Sequence, residues 1–127
     1  VFCLDGDGAL LMHMGNMATI GQQNLSNYKH IVINNGAHDS VGAQPTDAHD
    51  LEKFKLTELA KACGYKMAMQ AATPEEIAAG VMAMRENEGP CMLEILCNVG
   101  SRKNLGRPTR SPIENKADFM HFLAIER

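Results

Sequence analysis

The chain has 127 residues, 45% of them hydrophobic and 21% charged, with a formal net charge of −3. That length suits one domain with a real core. The mixed charges leave no basic footprint for nucleic acid or an acidic membrane surface, and no apolar run approaches the length of a membrane span.

Val1–Leu4 is a continuous apolar run, as in a strand buried on both faces. Leu11, Met14, Ala18 and Leu25 follow at helical spacing, predicting one helix with that buried face. His30–Ile33 reads as the second strand. Residues 35–52 form a long polar loop, and a loop of that length in a compact domain is usually functional or disordered. Leu56, Leu59, Ala60 and Cys63 mark a second helix stopped by Gly64. Tyr65–Ala71 is the third strand. Thr73-Pro74-Glu75-Glu76 is a capping-box start, with Ile77, Val81 and Met84 as the buried face behind it. Cys91–Cys97 is the fourth strand. Ser111-Pro112-Ile113-Glu114 repeats the start signal before a last helix with Ala117, Met120 and Ala124 on one face. This alternation predicts an α/β fold: a parallel sheet with helices on both faces and ligands at the strands' carboxyl ends.

Cys3, Cys63, Cys91 and Cys97 form no C-x-x-C pair and read as small buried thiols of a reducing, cytoplasmic protein. The nine methionines read as core. The apolar start has no basic leader, so it is no signal peptide. Residue 1 lies already inside a strand, and the chain reads as part of a longer polypeptide.

Asp5-Gly6-Asp7-Gly8-Ala9 ends the first strand and Asn34-Asn35-Gly36 ends the second. Each alone is an ordinary turn. Together they bring an acid and an amide to one sheet edge, beside glycines and a helix start, where a hard cation and a diphosphate can sit. A calcium loop lacks the further acids it needs. Asp5 and Asp7 also have the i, i+2 spacing of haloacid dehalogenase-type phosphatases. That class needs an acidic pair after a later strand, where this chain has Gln70-Ala71-Ala72-Thr73 and Asn98-Val99-Gly100.

Gly6-Asp7-Gly8 followed 25 residues later by Asn34-Asn35 resembles the signature of thiamine-diphosphate-dependent enzymes. The loop Asn34–Thr46, the segment Gly6–Gly15 and Leu105-Gly106-Arg107-Pro108-Thr109 narrow it to the phosphonopyruvate decarboxylase family, over nearly the whole chain. Ala43 departs from the pattern, which has glycine there. Sulfopyruvate decarboxylase shares the cofactor motif.

The resemblance implies a thiamine-diphosphate-binding fold, with residues 1–127 as a diphosphate-binding C-terminal domain truncated at its N-terminus. It implies thiamine diphosphate and Mg²⁺ as cofactors. The metal ligands would be Asp7, Asn35 and the Ala37 carbonyl, and Gly6, Asp7, Gly8, Ala9, Asn35 and Ala37 would hold the cofactor. The reaction would convert phosphonopyruvate to phosphonoacetaldehyde and CO₂, with sulfopyruvate or another 2-keto acid as the alternative substrate. The family's activating glutamate sits in a pyrimidine-binding domain of the same or a partner chain, so the segment alone should be inactive; the active site would lie between two subunits, which implies a homo-oligomer of at least two chains. A non-catalytic cofactor-binding subunit is the third functional class. His38, Asp39 and Ser40 are the catalytic candidates, in the loop beyond a metal ligand. Gln44, Arg102 and Arg107 are candidates for the substrate, with Lys103 and Arg110 in the same basic connector. His13 reads as a packed or capped residue, His49 and His121 as surface positions. Glu94, inside an apolar strand, is unexplained.

Overall fold

The computed structural model describes residues 1–106 and 108–125. Four strands build the sheet: β1 (Phe2–Gly6), β2 (Lys29–Asn34), β5 (Met67–Ala71) and β6 (Cys91–Leu96). All neighbours are parallel, in the order β1-β2-β6-β5. Between β2 and β5 lies a small antiparallel pair, β3 (Ala37–His38) and β4 (Gln44–Pro45). The helices are α1 (Asp7–Met12), α2 (Gly15–Gln23), α3 (Leu56–Ala62), α4 (Pro74–Glu86) and α5 (Pro112–Ile125).

Period-2 alternation divides the sheet's side chains between two cores. Val32 and Met92 pack with Leu10, Met17, Leu56 and Ala60 on the face that carries α1 to α3. Cys91, Leu93 and Ile95 pack with Met84, Ile77 and Val81 on the face that carries α4. Helices cover both faces, as the βα alternation predicts. Each fully buried Leu or Met contributes about 1.5–3 kcal/mol, so the two clusters carry most of the fold. Thr73 caps α4 with a complete capping box, and Gly64 ends the α3 turn at φ +101°.

Several expectations need correction. β1 is not buried on both faces: Leu4 is 70% exposed, because β1 is the edge strand and α4 lies over the opposite end. The segment after Asp7 is two helices, broken at His13, whose φ of −123° is not helical. The break shifts the helical phase, so Leu10 and Met17 face the core while Met14, Ala18 and Leu25 are exposed. His13 is exposed rather than packed, and of the two expected roles it takes the capping one, as the C-cap of α1 with its N–H on the Leu10 carbonyl. His30 lies near the start of β2, as expected, and is buried there. Ala117, Met120 and Ala124 form no buried face, since α5 is exposed along its described length. Of the four free cysteines only Cys91 is buried, and Met12, Met82 and Met120 are exposed. Among the described residues no helix is long and apolar enough to cross a membrane.

Residues 35–52 are more ordered than a polar loop suggests. The β3–β4 pair is closed by a 3₁₀ turn over Asp39–Val41, and a second such turn covers Asp47–His49. Gly42 and Ala43 are both left-handed, at φ +105° and +59°. This explains why glycine is expected at 43: the left-handed region costs a residue with a Cβ about 1–2 kcal/mol, partly offset because glycine loses more chain entropy on folding. Ala43→Gly should therefore stabilise the protein by about 0.5–1 kcal/mol in urea unfolding. A loss of stability would show that the Ala43 methyl packs usefully.

Candidate functional site

The register of β1 and β2 builds the site. Gly6 pairs with Ile33, so Asp7 leaves β1 at the level where β2 reaches Asn34 and Asn35. Both chain segments turn away there, and a cavity of about 510 Å³ opens at the sheet's carboxyl edge. Among its lining residues are Asp7, Gly8, Ala9, Asn35, Ala37 and His38. Asp39 and Ser40 also line it, as do Leu4, Asp5, Gly6, Met12 and Ile33. All the proposed metal and cofactor residues and all three catalytic candidates thus border one cavity.

Asp7 is only 2% exposed. The Thr46 hydroxyl donates to its Oδ2 at 2.5 Å, so the far end of the loop fixes this carboxylate. Its other oxygen accepts no hydrogen bond among the described residues. Asn35 Nδ2 donates to Asp39 Oδ2 at 2.6 Å, and Asn35 Oδ1 accepts from the Ala37 N–H at 3.1 Å. The same Asp39 oxygen accepts the Gly100 N–H at 3.2 Å. Asp39 therefore ties the β2 turn to the segment after β6.

His38 lies over the first turn of α1. A Cβ on Gly8 would come within 2.5 Å of His38 Nδ1, so the missing side chain is what lets the ring approach. The N–H groups of that turn have no intrahelical partner. With only six residues α1 has a small dipole, and these N–H groups themselves are its contribution.

One carboxylate, one amide oxygen and one carbonyl make a hard oxygen set. That set suits Mg²⁺, which takes few protein ligands and fills its octahedron with phosphate and water oxygens. A buried acid beside a glycine floor with free N–H donors fits a metal-bound diphosphate.

Gln44 and Arg102 are not among the residues that line this cavity. Gln44 is exposed on β4, opposite His38 in the ribbon. Arg102 is exposed, two residues beyond the Gly100 contact to Asp39. Arg107 lies outside the described residues. Arg110 pairs with Asp118 at 2.5 Å.

Sequence reasoning missed Thr46, whose only signal is a hydroxyl at the end of the suspect loop. It also missed the group around His30. The His30 Nδ1 lies 3.1 Å from the Tyr65 hydroxyl, and its Nε2 is 3.6 Å from Asp5 Oδ2 without a hydrogen bond. Burial lowers the His30 pKa against the opposing pull of Asp5. Asp5 also accepts the Gly6 N–H through its Oδ1.

The profile of the family described as thiamine pyrophosphate enzyme, C-terminal TPP binding domain, matches residues 1–95. The chain belongs to that family. Among curated relatives, phosphonopyruvate decarboxylase of Streptomyces viridochromogenes is 32% identical over 123 residues, which is 97% of this chain and 30% of the relative. The enzyme of that name from Streptomyces hygroscopicus is 31% identical over 122 residues, 96% of this chain and 30% of the relative. Sulfopyruvate decarboxylase subunit beta of Methanocaldococcus jannaschii is 44% identical over 64 residues, 50% of this chain and 33% of the subunit. The chain therefore spans about 30% of the length of the phosphonopyruvate decarboxylases it matches.

Proposed function

We propose that this chain is the Mg²⁺- and diphosphate-holding part of a thiamine-diphosphate-dependent 2-keto acid decarboxylase whose substrate is phosphonopyruvate. The observation that carries the reading is the shared cavity of Asp7, Asn35 and Ala37 at the carboxyl ends of β1 and β2, in a chain of this family. Asp7, the Asn35 oxygen and the Ala37 carbonyl would hold Mg²⁺. The N–H groups of Gly8 and Ala9 would receive diphosphate oxygens. When bound, thiamine diphosphate supplies the electron sink that lets a 2-keto acid lose CO₂.

The chain's own residues then have distinct tasks. Asp39 holds Asn35 and the Gly100 segment, so its carboxylate sets the shape of the pocket wall. His38, above Gly8, is the group available to exchange a proton with substrate, and Ser40 offers a hydroxyl beside it. The pyrimidine half of the cofactor would be held by a further domain of the same or a partner chain, and an active site lying between two subunits makes the working unit at least a dimer.

The substrate's anionic head needs cationic donors. Arg102 and Arg107 are the candidates, because the Gly100 contact draws the segment after β6 toward the loop. Gln44 would contribute from β4. The similarity to phosphonopyruvate decarboxylases runs through nearly the whole chain, this segment included, whereas that to sulfopyruvate decarboxylase covers half. This favours the phosphonate over the sulfonate.

Turnover of phosphonopyruvate, sulfopyruvate and pyruvate by the intact enzyme, with Mg²⁺ and thiamine diphosphate, tests the reading. Phosphonopyruvate should be preferred. Arg102→Gln or Arg107→Gln should cost about 1–3 kcal/mol of phosphonopyruvate binding, the worth of a charge-assisted hydrogen bond. Either should leave pyruvate nearly unchanged. Preference for sulfopyruvate would move the chain to the second reading, and equal losses on all substrates would make the arginines structural.

A further inference from the structure

Glu94 is 1% exposed, in the middle of the apolar strand β6. Among the described residues it has no ion-pair partner, and two amides approach it instead. Asn34 Nδ2 donates to its Oε1 at 2.7 Å, and Gln70 Nε2 donates to its Oε2 at 2.9 Å. Burying an acid without a cation is costly, and an apolar side chain would fill the space at less cost. A reason for the acid lies in what it holds.

What it holds is the amide of Asn34, itself buried at the end of β2. The second hydrogen of Asn34 Nδ2 goes to the Ala48 carbonyl at 3.2 Å. Its Oδ1 accepts the Gly36 N–H at 2.9 Å. Two acceptors on one side and one donor on the other leave the amide a single orientation. Gly36 is left-handed at φ +67°, between Asn35 and Ala37. Ala48 lies two residues from Thr46, which grips Asp7. One buried amide therefore fixes both arms of the metal site, through Gly36 on one side and through Ala48 on the other.

We propose that Glu94 is a positioning residue for the Mg²⁺ site, locking the Asn34 amide so that Asn35 and the Ala37 carbonyl are preset for the ion. This rests on reading the cavity as a Mg²⁺-diphosphate site. Outer partners of metal ligands act in this way, by fixing ligand orientation before the ion arrives.

The chemistry of amides supplies the test. In Glu94→Gln the oxygen can face Asn34 while the new NH₂ faces Gln70, which is exposed and can turn its own amide oxygen inward. In Glu94→Leu the Asn34 amide loses the shortest of its bonds and keeps only those to Ala48 and Gly36, so it is held less firmly. Thiamine diphosphate binding to the intact enzyme is measured by equilibrium dialysis across a Mg²⁺ titration, with thermal melting of the cofactor-free protein alongside. Glu94→Leu should raise half-saturating Mg²⁺ roughly 10–100-fold, and Glu94→Gln should stay within about threefold of the native enzyme. Asn34→Ala, which also drops the bonds to Ala48 and Gly36, should lose at least as much as Glu94→Leu, and the double variant should be no worse than Asn34→Ala, because Glu94 acts through that amide. Should Glu94→Leu fail to fold, Asn34→Ala beside Glu94→Gln decides the matter. An unchanged Mg²⁺ requirement in Glu94→Leu or Asn34→Ala overturns the proposal, as does an equal rise in the Leu and Gln variants. Native enzyme that binds no thiamine diphosphate in a Mg²⁺-dependent way overturns the site reading itself, and this inference with it.

Discussion

Asp7→Asn should abolish Mg²⁺-dependent retention of thiamine diphosphate and leave the fold intact. The substitution keeps shape and keeps an oxygen to accept the Thr46 hydroxyl, so the loop stays anchored. What disappears is the negative charge at the only carboxylate of the proposed ligand set. A hard dication bound by a single protein carboxylate depends on it more than on any neutral ligand. The loss should exceed the roughly 10–100-fold typical of outer partners, so cofactor affinity should fall more than about 100-fold. Asp7→Ala is the less clean variant, because it also strands a buried hydroxyl. Thr46→Val should give an intermediate loss, since the carboxylate remains but is no longer held. Calorimetric titration of the diphosphate at fixed Mg²⁺, with circular dichroism as the fold control, measures all three. Unchanged affinity in Asp7→Asn would remove Asp7 from the site.

The elements that read well from sequence are those with local causes. Thr73-Pro74-Glu75-Glu76 carries its own capping chemistry, and α4 starts there. Gly64 stops the α3 turn because the chain there needs a left-handed residue. The placement of Asp7 and Asn35 at one sheet edge was legible because each directly follows a strand, and parallel strands of a βαβ unit end at the same edge. What failed depended on tertiary context. Val1–Leu4 looks doubly buried by composition, but edge position is set by strand order, which the run itself does not encode. The helical phase slipped at His13 because one irregular residue breaks a periodicity without changing composition. α5 has a sound start signal at Ser111 and Glu114, yet no apolar partner along its described length. Thr46 and Glu94 were opaque for a different reason. Their partners, Asp7 and Asn34, lie far away in sequence, and hydrogen bonds across such distances leave no spacing rule to read.

Gly21→Ala should be the most damaging small substitution away from the site. On α2, Gly21 faces the end of α3, and an added Cβ would lie 1.7 Å from the Cys63 carbonyl oxygen and 2.7 Å from its carbon. These are backbone atoms, so no side-chain rotation relieves the clash. The Cys63–Gly64 turn cannot retreat freely either, because its N–H groups are bonded back to Leu59 and Lys61 and Gly64 is already left-handed. Helix propensity alone would favour alanine by about 1 kcal/mol. Overpacking against backbone costs about 1–3 kcal/mol and more where nothing can move. The clash wins, with a net loss of about 2 kcal/mol or more. Gly15, at the start of the same helix, has nothing within 4 Å of its would-be Cβ and serves as the control. Gly15→Ala should be neutral or stabilising by up to about 1 kcal/mol. Urea unfolding of both variants separates the two effects. Equal stabilities for the two would mean that α2 does not pack on the α3 turn as described. A large loss in Gly21→Ala alone places the α2 backbone directly against the α3 turn, where only a residue without a Cβ fits.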